Sequence, residues 1–399
     1  MKGQWRLSSF DAFCLGMTIK GAWIYRSLPD FDTLKAALVK VLAEYPVLRG
    51  RYEEASKSII WDSESIPDPV FETVDASSTS ISDIRGIQAY KLVKEYDVKA
   101  FKNGKNEAFS ASLVKLKDGA ALVVQCAHAA LDGNSFYKLI GQWASVTKGE
   151  SITPMVVDQS LLPDPTALPK EKVEKRILEL GWPKIGLKSV VKMIFNTVRM
   201  AKIKDTVNID ISQEEISALR DAASVRSNAA LCAIAMKKLL KYYPNRKTFL
   251  LAEVADLRNR VDGIPDSFCG NISQSLILPG RFTSDSSLEE LASDIQKKLD
   301  LCLDNKIMDE NTRLSLASSE YSLPYFPFDA SKMNCPNPEL FYINNQLKFR
   351  ANEIDFGQGI PEYAVPNDLA DMVKFWQPVS GGPVQVIFAG YLAKKIKEL

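Results

Sequence analysis

His128 is the one histidine in 399 residues, and it closes an apolar run in the segment His128-Ala-Ala-Leu-Asp132-Gly133. A neutral imidazole can take a proton from an alcohol or an amine near pH 7, so His128 is a candidate general base. With a single histidine, a His-rich metal site is excluded, and no metal is expected from this residue set. Asp132 follows four residues later, ahead of a glycine and a helical pattern. It is better placed to shape that loop than to polarise the ring, and once buried it needs a cationic partner. Spacing alone leaves two readings open. One is a base presented at a strand end, where side chains have fixed geometry and access to a cleft. The other is a hydrogen-bonded core histidine followed by an aspartate that caps the next helix.

Other residues are suggestive in type but weaker in pattern. Asp355-Phe356-Gly357 has the form of the kinase magnesium motif, yet the glycine-rich loop and the HRD triplet are absent. A turn built on Gly357 and Gly359 accounts for the same residues. No GxSxG elbow and no Walker A loop occurs. Arg258 and Arg260 flank Asn259 after an apolar strand pattern. Either could pair with a buried carboxylate such as Asp132, or lie on the surface. Six cysteines, at 14, 126, 232, 269, 302 and 335, form no CxxC pair, which argues against a zinc ribbon or a thioredoxin-type site. The first residues, MKGQWRLSSF, lack an apolar signal core, so the thiols are expected to be reduced and cytosolic.

The elements that must position these residues show in the periodicity. FSASLVKL and AALVVQCA read as a hairpin around Lys117-Asp118-Gly119, and the second strand runs directly into His128. Phe136, Leu139, Ile140 and Trp143 then recur at helical spacing. Helices are also predicted over 31–45, 80–97, 228–243 and 287–304, and after the capping box Ser212-x-x-Glu215. Strands are predicted at 58–62, in TVNIDI, in TFLLAEVAD ahead of Arg258, and in PVQVIFAGY near the C-terminus. Residues 151–186 are proline-rich and read as a surface connection; Pro67 and Pro69 interrupt the earlier pattern. Residues 187–203 form a basic amphipathic stretch that suits either a membrane surface or a crossover helix between domains. Composition sets outer limits. Fifty basic and 49 acidic residues give a net charge of +1, without the basic field that nucleic acid requires. A content of 46% hydrophobic and 25% charged residues is that of a globular protein, and no apolar run reaches the ~20 residues of a membrane helix.

Five segments, taken in order, resemble one family. His128-Ala-Ala-Leu-Asp132-Gly133 resembles the HxxxDG motif of CoA-dependent acyltransferases, and Asp355-Phe356-Gly357-Gln358-Gly359 resembles the DFGWG motif of the BAHD acyltransferases, with Gln358 in place of Trp. Asp256-Leu-Arg258-Asn-Arg260, Pro265 and Phe268-Cys-Gly270-Asn271 are similar to that family's D-x-R-x-R…P…FGN segment. Leu7-Ser8-Ser9-Phe10-Asp11 and Tyr45-Pro46-Val-Leu48-Arg-Gly50-Arg51 look like its LS-x-x-D and YP-x-L-x-GR segments.

The resemblance implies an α+β fold of two chloramphenicol-acetyltransferase-like domains with a channel between them. The expected division is 1–175 with HxxxDG, a 176–205 crossover, and 206–399 with DFGQG. It implies an acyl-CoA co-substrate, no bound cofactor, and an alcohol or amine acceptor of small size. His128 would act as general base in a direct, ternary-complex transfer. Asp132 and Gly133 would shape the loop, with Asp132 paired to Arg258 or, second, Arg260. Asp355, Phe356, Gly357 and Gly359 would be structural, and Gly270, Asn271 and Gln358 are candidates for the channel wall. A cytoplasmic monomer without stable membrane insertion is the family's default. The alternatives are the same fold fed by a carrier protein, or a non-catalytic binding protein.

Overall fold

Strands Phe109–Leu116 and Ala120–Ala127 pair antiparallel around a tight turn at Gly119, where a Cβ would stand 2.2 Å from the Tyr25 carbonyl oxygen. The computed structural model describes residues 2–398 apart from 63, 65–67, 85, 201, 202, 204, 333, 334 and 368–371. Pro67 and residues 201 and 202 of the basic stretch therefore fall outside the described residues. The hairpin lies inside a five-stranded sheet of order Tyr363–Val365, Thr18–Tyr25, Ala120–Ala127, Phe109–Leu116, Val70–Ala76. All but the first residue of Ala120–Ala127 are buried, consistent with its nearly unbroken apolar run. A second sheet runs Ser273–Ile277, Thr248–Asp256, Leu340–Asn345, Val373–Trp376, Val384–Ala389, Thr206–Ile211, with Phe282–Thr283 paired to Thr248–Asp256. A small three-stranded sheet joins Lys2–Arg6, Ser58–Asp62 and Arg51–Glu53.

Helices cover these sheets. Phe31–Ala43 lies beside Gly133–Thr147, locked by the Trp143 indole N–H donating to the Leu34 carbonyl at 2.9 Å. Under the second sheet, Gln213–Ala223, Ser227–Leu240 and Leu288–Cys302 bury a separate apolar core. Residues 80–97 do not form the expected helix. Short 3-10 turns occupy Ile81–Asp83 and Gly86–Leu92, because Ser80 and Asp83 cap each other and Gly86 sits at φ 53°. The 151–186 connection contains the helix Lys170–Glu179, whose Val173 and Ile177 pack with Leu314 and Ala317 of the helix Asn305–Glu320, which the periodicity did not reveal.

The expected split at 175 and 206 does not coincide with the sheets or the cores. Tyr363–Val365 pairs antiparallel with the edge strand Thr18–Tyr25, Tyr363 opposite Ile24 and Val365 opposite Ala22. The first core likewise takes Ala255, Leu257, Phe268, Ile272 and Trp376 from the second half. The physical reason is the open edge of Thr18–Tyr25, whose backbone groups need a partner that the first 175 residues do not provide.

Candidate active site

The backbone of His128 is held by the sheet: its N–H donates to the Met17 carbonyl at 2.9 Å, extending the pairing of Thr18 with Ala127. The ring is half-buried, and its Nδ1 lies 3.2 Å from Asn271 Oδ1. Asn271 Nδ2 donates to the His128 carbonyl at 2.7 Å and to Asp11 Oδ1 at 3.0 Å. Because both amide hydrogens are committed, the amide oxygen must face the ring. Nδ1 then carries hydrogen as the donor, and Nε2 is the nitrogen left for chemistry. Asp11 is fixed in turn by the Trp5 indole N–H at 3.2 Å and by the Ser8 hydroxyl and N–H, each at 2.9 Å. Burial raises the Asp11 pKa against these donors.

The second neighbour of the ring is the Cys14 side chain. Burial disfavours the imidazolium, but Cys14, the His128 backbone and Asp132 outweigh burial and lift the pKa to about 9. Tyr342, hydrogen-bonded to Ser275, is buried, which pushes its phenol up to about 12. Sequence reasoning did not single out Cys14, Tyr342 or Ser275. Asp11 was visible only as part of the LS-x-x-D segment.

Asp132 is the N-cap of Gly133–Thr147, its Oδ1 accepting from Ser135 N at 2.9 Å. Gly133 leaves room for the Phe349 ring, which a Cβ would approach to 2.9 Å. The carboxylate faces away from the ring cluster toward Arg258, which donates from Nη1 at 2.8 Å and Nη2 at 3.2 Å. Both side chains are buried, and the fork geometry satisfies both oxygens. Arg258 also donates to the carbonyls of Phe268 at 2.8 Å and Gly270 at 3.0 Å, to Ser135 Oγ at 2.8 Å, and to Asp256 Oδ1 at 2.9 Å. Every one of its donor directions thus ends on an oxygen, and one guanidinium ties the strand end at 256–258 and the 268–271 turn to the helix after His128. Gly270 adopts φ 136°, and a Cβ there would stand 3.0 Å from the Trp5 ring. The neighbouring Cys269 is buried, which pushes its thiol to about 12.

Two of the expected site residues lie elsewhere. Arg260 lines an open surface cleft of about 750 Å³ with Asp262, Lys306 and Asp309, two residues beyond the arginine that reaches Asp132. The chain turns between them at Asn259, which adopts φ 57°, and this sends the two arginines to different environments. Gln358 is exposed and hydrogen-bonded to Ser27, at the far end of Thr18–Tyr25 from His128. The eight residues of that extended strand separate its ends by about 24 Å, so Gln358 does not line the space beside the ring. The rest of that loop is a compact turn: Asp355 Oδ1 accepts from Gly357 N at 2.7 Å and Gly359 N at 2.9 Å. Both glycines have positive φ, 101° and 103°. Phe356 is buried edge-on against Trp143 and Tyr25, at 5.3 and 6.1 Å between ring centroids. Among the described residues, no group of three or more His, Cys, Asp or Glu is placed to hold a metal ion.

The family model described as the Transferase family matches residues 1–374. The BAHD acyltransferase DCR of Arabidopsis thaliana is 25% identical, covering 96% of this chain and 84% of its own length. TRI101 of F. graminearum, in complex with coenzyme A and deoxynivalenol, superposes with a TM-score of 0.75 at 16% identity, covering 100% of this chain and 97% of its own. Vinorine synthase superposes with a TM-score of 0.66 at 17% identity, covering 99% and 91%. The fold is the α+β chloramphenicol-acetyltransferase-like fold of these proteins.

Proposed function

We propose, for a chain that belongs to the Transferase family of BAHD acyltransferases, that it moves an acyl group from an acyl-CoA thioester directly onto the hydroxyl or amine of a small acceptor. The acyl-CoA thioester is the co-substrate this family uses. The observation that carries the assignment of roles is the Nδ1–Asn271 contact, which leaves His128 Nε2 as the one imidazole nitrogen able to accept a proton. In the reaction the acceptor's oxygen or nitrogen bonds to the thioester carbonyl carbon and its proton passes to Nε2. The tetrahedral intermediate then collapses, the carbon–sulfur bond breaks, and coenzyme A leaves with that proton. A thioester is already activated, so positioning, worth about 7–11 kcal/mol in favourable cases, and one base are sufficient.

In this reading Asp132, Gly133 and Arg258 position the His128 loop and do not touch the reacting atoms. The Asp355–Gly359 turn is structural, and Asn271 and Gly270 border the channel. In this reading the channel runs where the two halves of the chain meet around His128, although they share a sheet and a core. The protein works as a cytoplasmic monomer.

The test is release of free coenzyme A, detected by mass spectrometry, from a panel running from acetyl to aromatic and long-chain acyl-CoAs. Wild type and His128→Ala are compared with mixed alcohol and amine acceptors present. The reading predicts release by wild type with at least one donor, at least about a hundredfold above His128→Ala. Equal release by the two proteins would remove His128 from the chemistry. Absence of release from every donor would count against free coenzyme A as the carrier.

A further inference from the structure

The helix Leu187–Met200 is amphipathic in the wrong sense for a helix packed on a protein. Leu187, Val190, Val191, Ile194, Phe195 and Val198 recur at i, i+3, i+4, i+7, i+8 and i+11, and all six are exposed, Leu187 by 80% and Ile194 by 60%. At 3.6 residues per turn they form one continuous arc of about 140°. The side turned inward carries Asn196, 8% exposed, with Ser189 and Met193 half-buried. It lies against the short turn Ala330–Lys332. Lys188, Lys192 and Arg199, all exposed, form a second row directly beside the apolar arc, and the Arg199 guanidinium lies 5.2 Å from the Phe195 ring centre. From Lys184 to Lys204 the chain has six basic residues and no acidic one, although the protein as a whole is nearly neutral. No helix among the described residues is long and apolar enough to cross a membrane, so this one does not span.

We propose that the Leu187–Met200 helix is a docking surface for an anionic phospholipid bilayer. It would lie in the plane of the interface, with the apolar arc among the acyl chains and the Lys188–Lys192–Arg199 row against the headgroups. An apolar face about this wide, bordered by cations and free of anions, has the chemistry of an interfacial helix. Charge also decides between occupants. An antiparallel two-fold contact with a second copy would set the basic rows of both chains side by side, and any such contact leaves them without anions, whereas anionic lipid neutralises them. Bound in this way, the protein would meet its acyl donor or its acceptor at a membrane surface. That consequence goes beyond the acyl-transfer reading, and the docking itself does not depend on it.

The experiment is co-sedimentation of the full chain with vesicles of phosphatidylcholine, with and without phosphatidylserine, alongside light scattering of the protein alone. Two variants are compared, Ile194→Ser with Phe195→Ser, and Lys188→Glu with Lys192→Glu. These side chains are exposed, so both variants should melt with the wild type. The proposal predicts that wild type pellets with the serine-containing vesicles, less so at high salt, and that each variant binds at least about tenfold more weakly. Wild type remaining in the supernatant with both vesicle types would overturn it, as would variants that pellet like wild type. A wild-type dimer that the apolar variant converts to monomer would assign the face to a second copy and overturn it equally.

Discussion

His128 has two side-chain neighbours with different consequences for its protonation. Asn271 accepts from Nδ1, while Cys14, with the His128 backbone and Asp132, outweighs burial and lifts the pKa of the ring to about 9. A base works only in its unprotonated form, so kcat/KM should rise with pH through that value. Cys14→Ala removes a group that holds the proton on the ring, so its rising limb should lie at lower pH than that of wild type. A kcat/KM–pH profile checks this, and coincident limbs would remove Cys14 from control of the base. Asn271→Ala should lower kcat with little change in KM for the donor, because the wrong tautomer leaves Nε2 protonated. A rise in donor KM alone would instead make Asn271 a binding residue. His128, Asp132 and Arg258 were legible because each belongs to a spaced motif. Cys14 was not, because its contact with the ring joins residues 114 positions apart, brought together by the pairing of Thr18–Tyr25 with Ala120–Ala127.

At the level of elements, the helix cap and the Arg258 fork are one structure. Asp132 holds the first turn of Gly133–Thr147 and both arms of the guanidinium. Asp132→Asn should therefore lose stability and activity together, with a cost of about 3 kcal/mol for an unbalanced buried charge. A variant that melts like wild type yet is inactive would contradict a positioning role. Asp256, at the end of Thr248–Asp256, pulls on the same arginine. Burial opposes its ionisation, but Arg258 and Lys348 win and hold its pKa near 2, against 3.8 for a free carboxyl. A depressed carboxyl stabilises the fold fully above about pH 4 and loses that contribution as pH falls through about 2. The gap in unfolding free energy between wild type and Asp256→Asn should then be about 2 kcal/mol near neutrality and shrink on acidification. Denaturant melts at several pH values measure it, and a gap that does not change with pH would reject the assignment. The 109–127 hairpin was readable because alternation and a turn triplet agree. The helix Asn305–Glu320 was not, because its buried positions include Thr312 and Ser318, which blur the apolar period.

For the whole molecule, the halves are not independent. The strand Tyr363–Val365 closes the first sheet, and the first core draws on residues from 255 to 387. Residues 1–175 expressed alone should lack a cooperative thermal transition, and a sharp transition by circular dichroism would show that the first half folds without its borrowed strand. Three residues are too few for any periodicity to announce, so this exchange was invisible to pattern reading. The candidate site is likewise shared between the halves, with His128 from one and Asn271 and Arg258 from the other. The account rests on His128 Nε2 taking the acceptor's proton. The most direct measurement is the turnover of folded His128→Ala with its best acyl-CoA and acceptor, with and without added imidazole. The account predicts a loss of at least about a hundredfold that free imidazole partly restores. Wild-type turnover in the variant, with no dependence on imidazole, would contradict it.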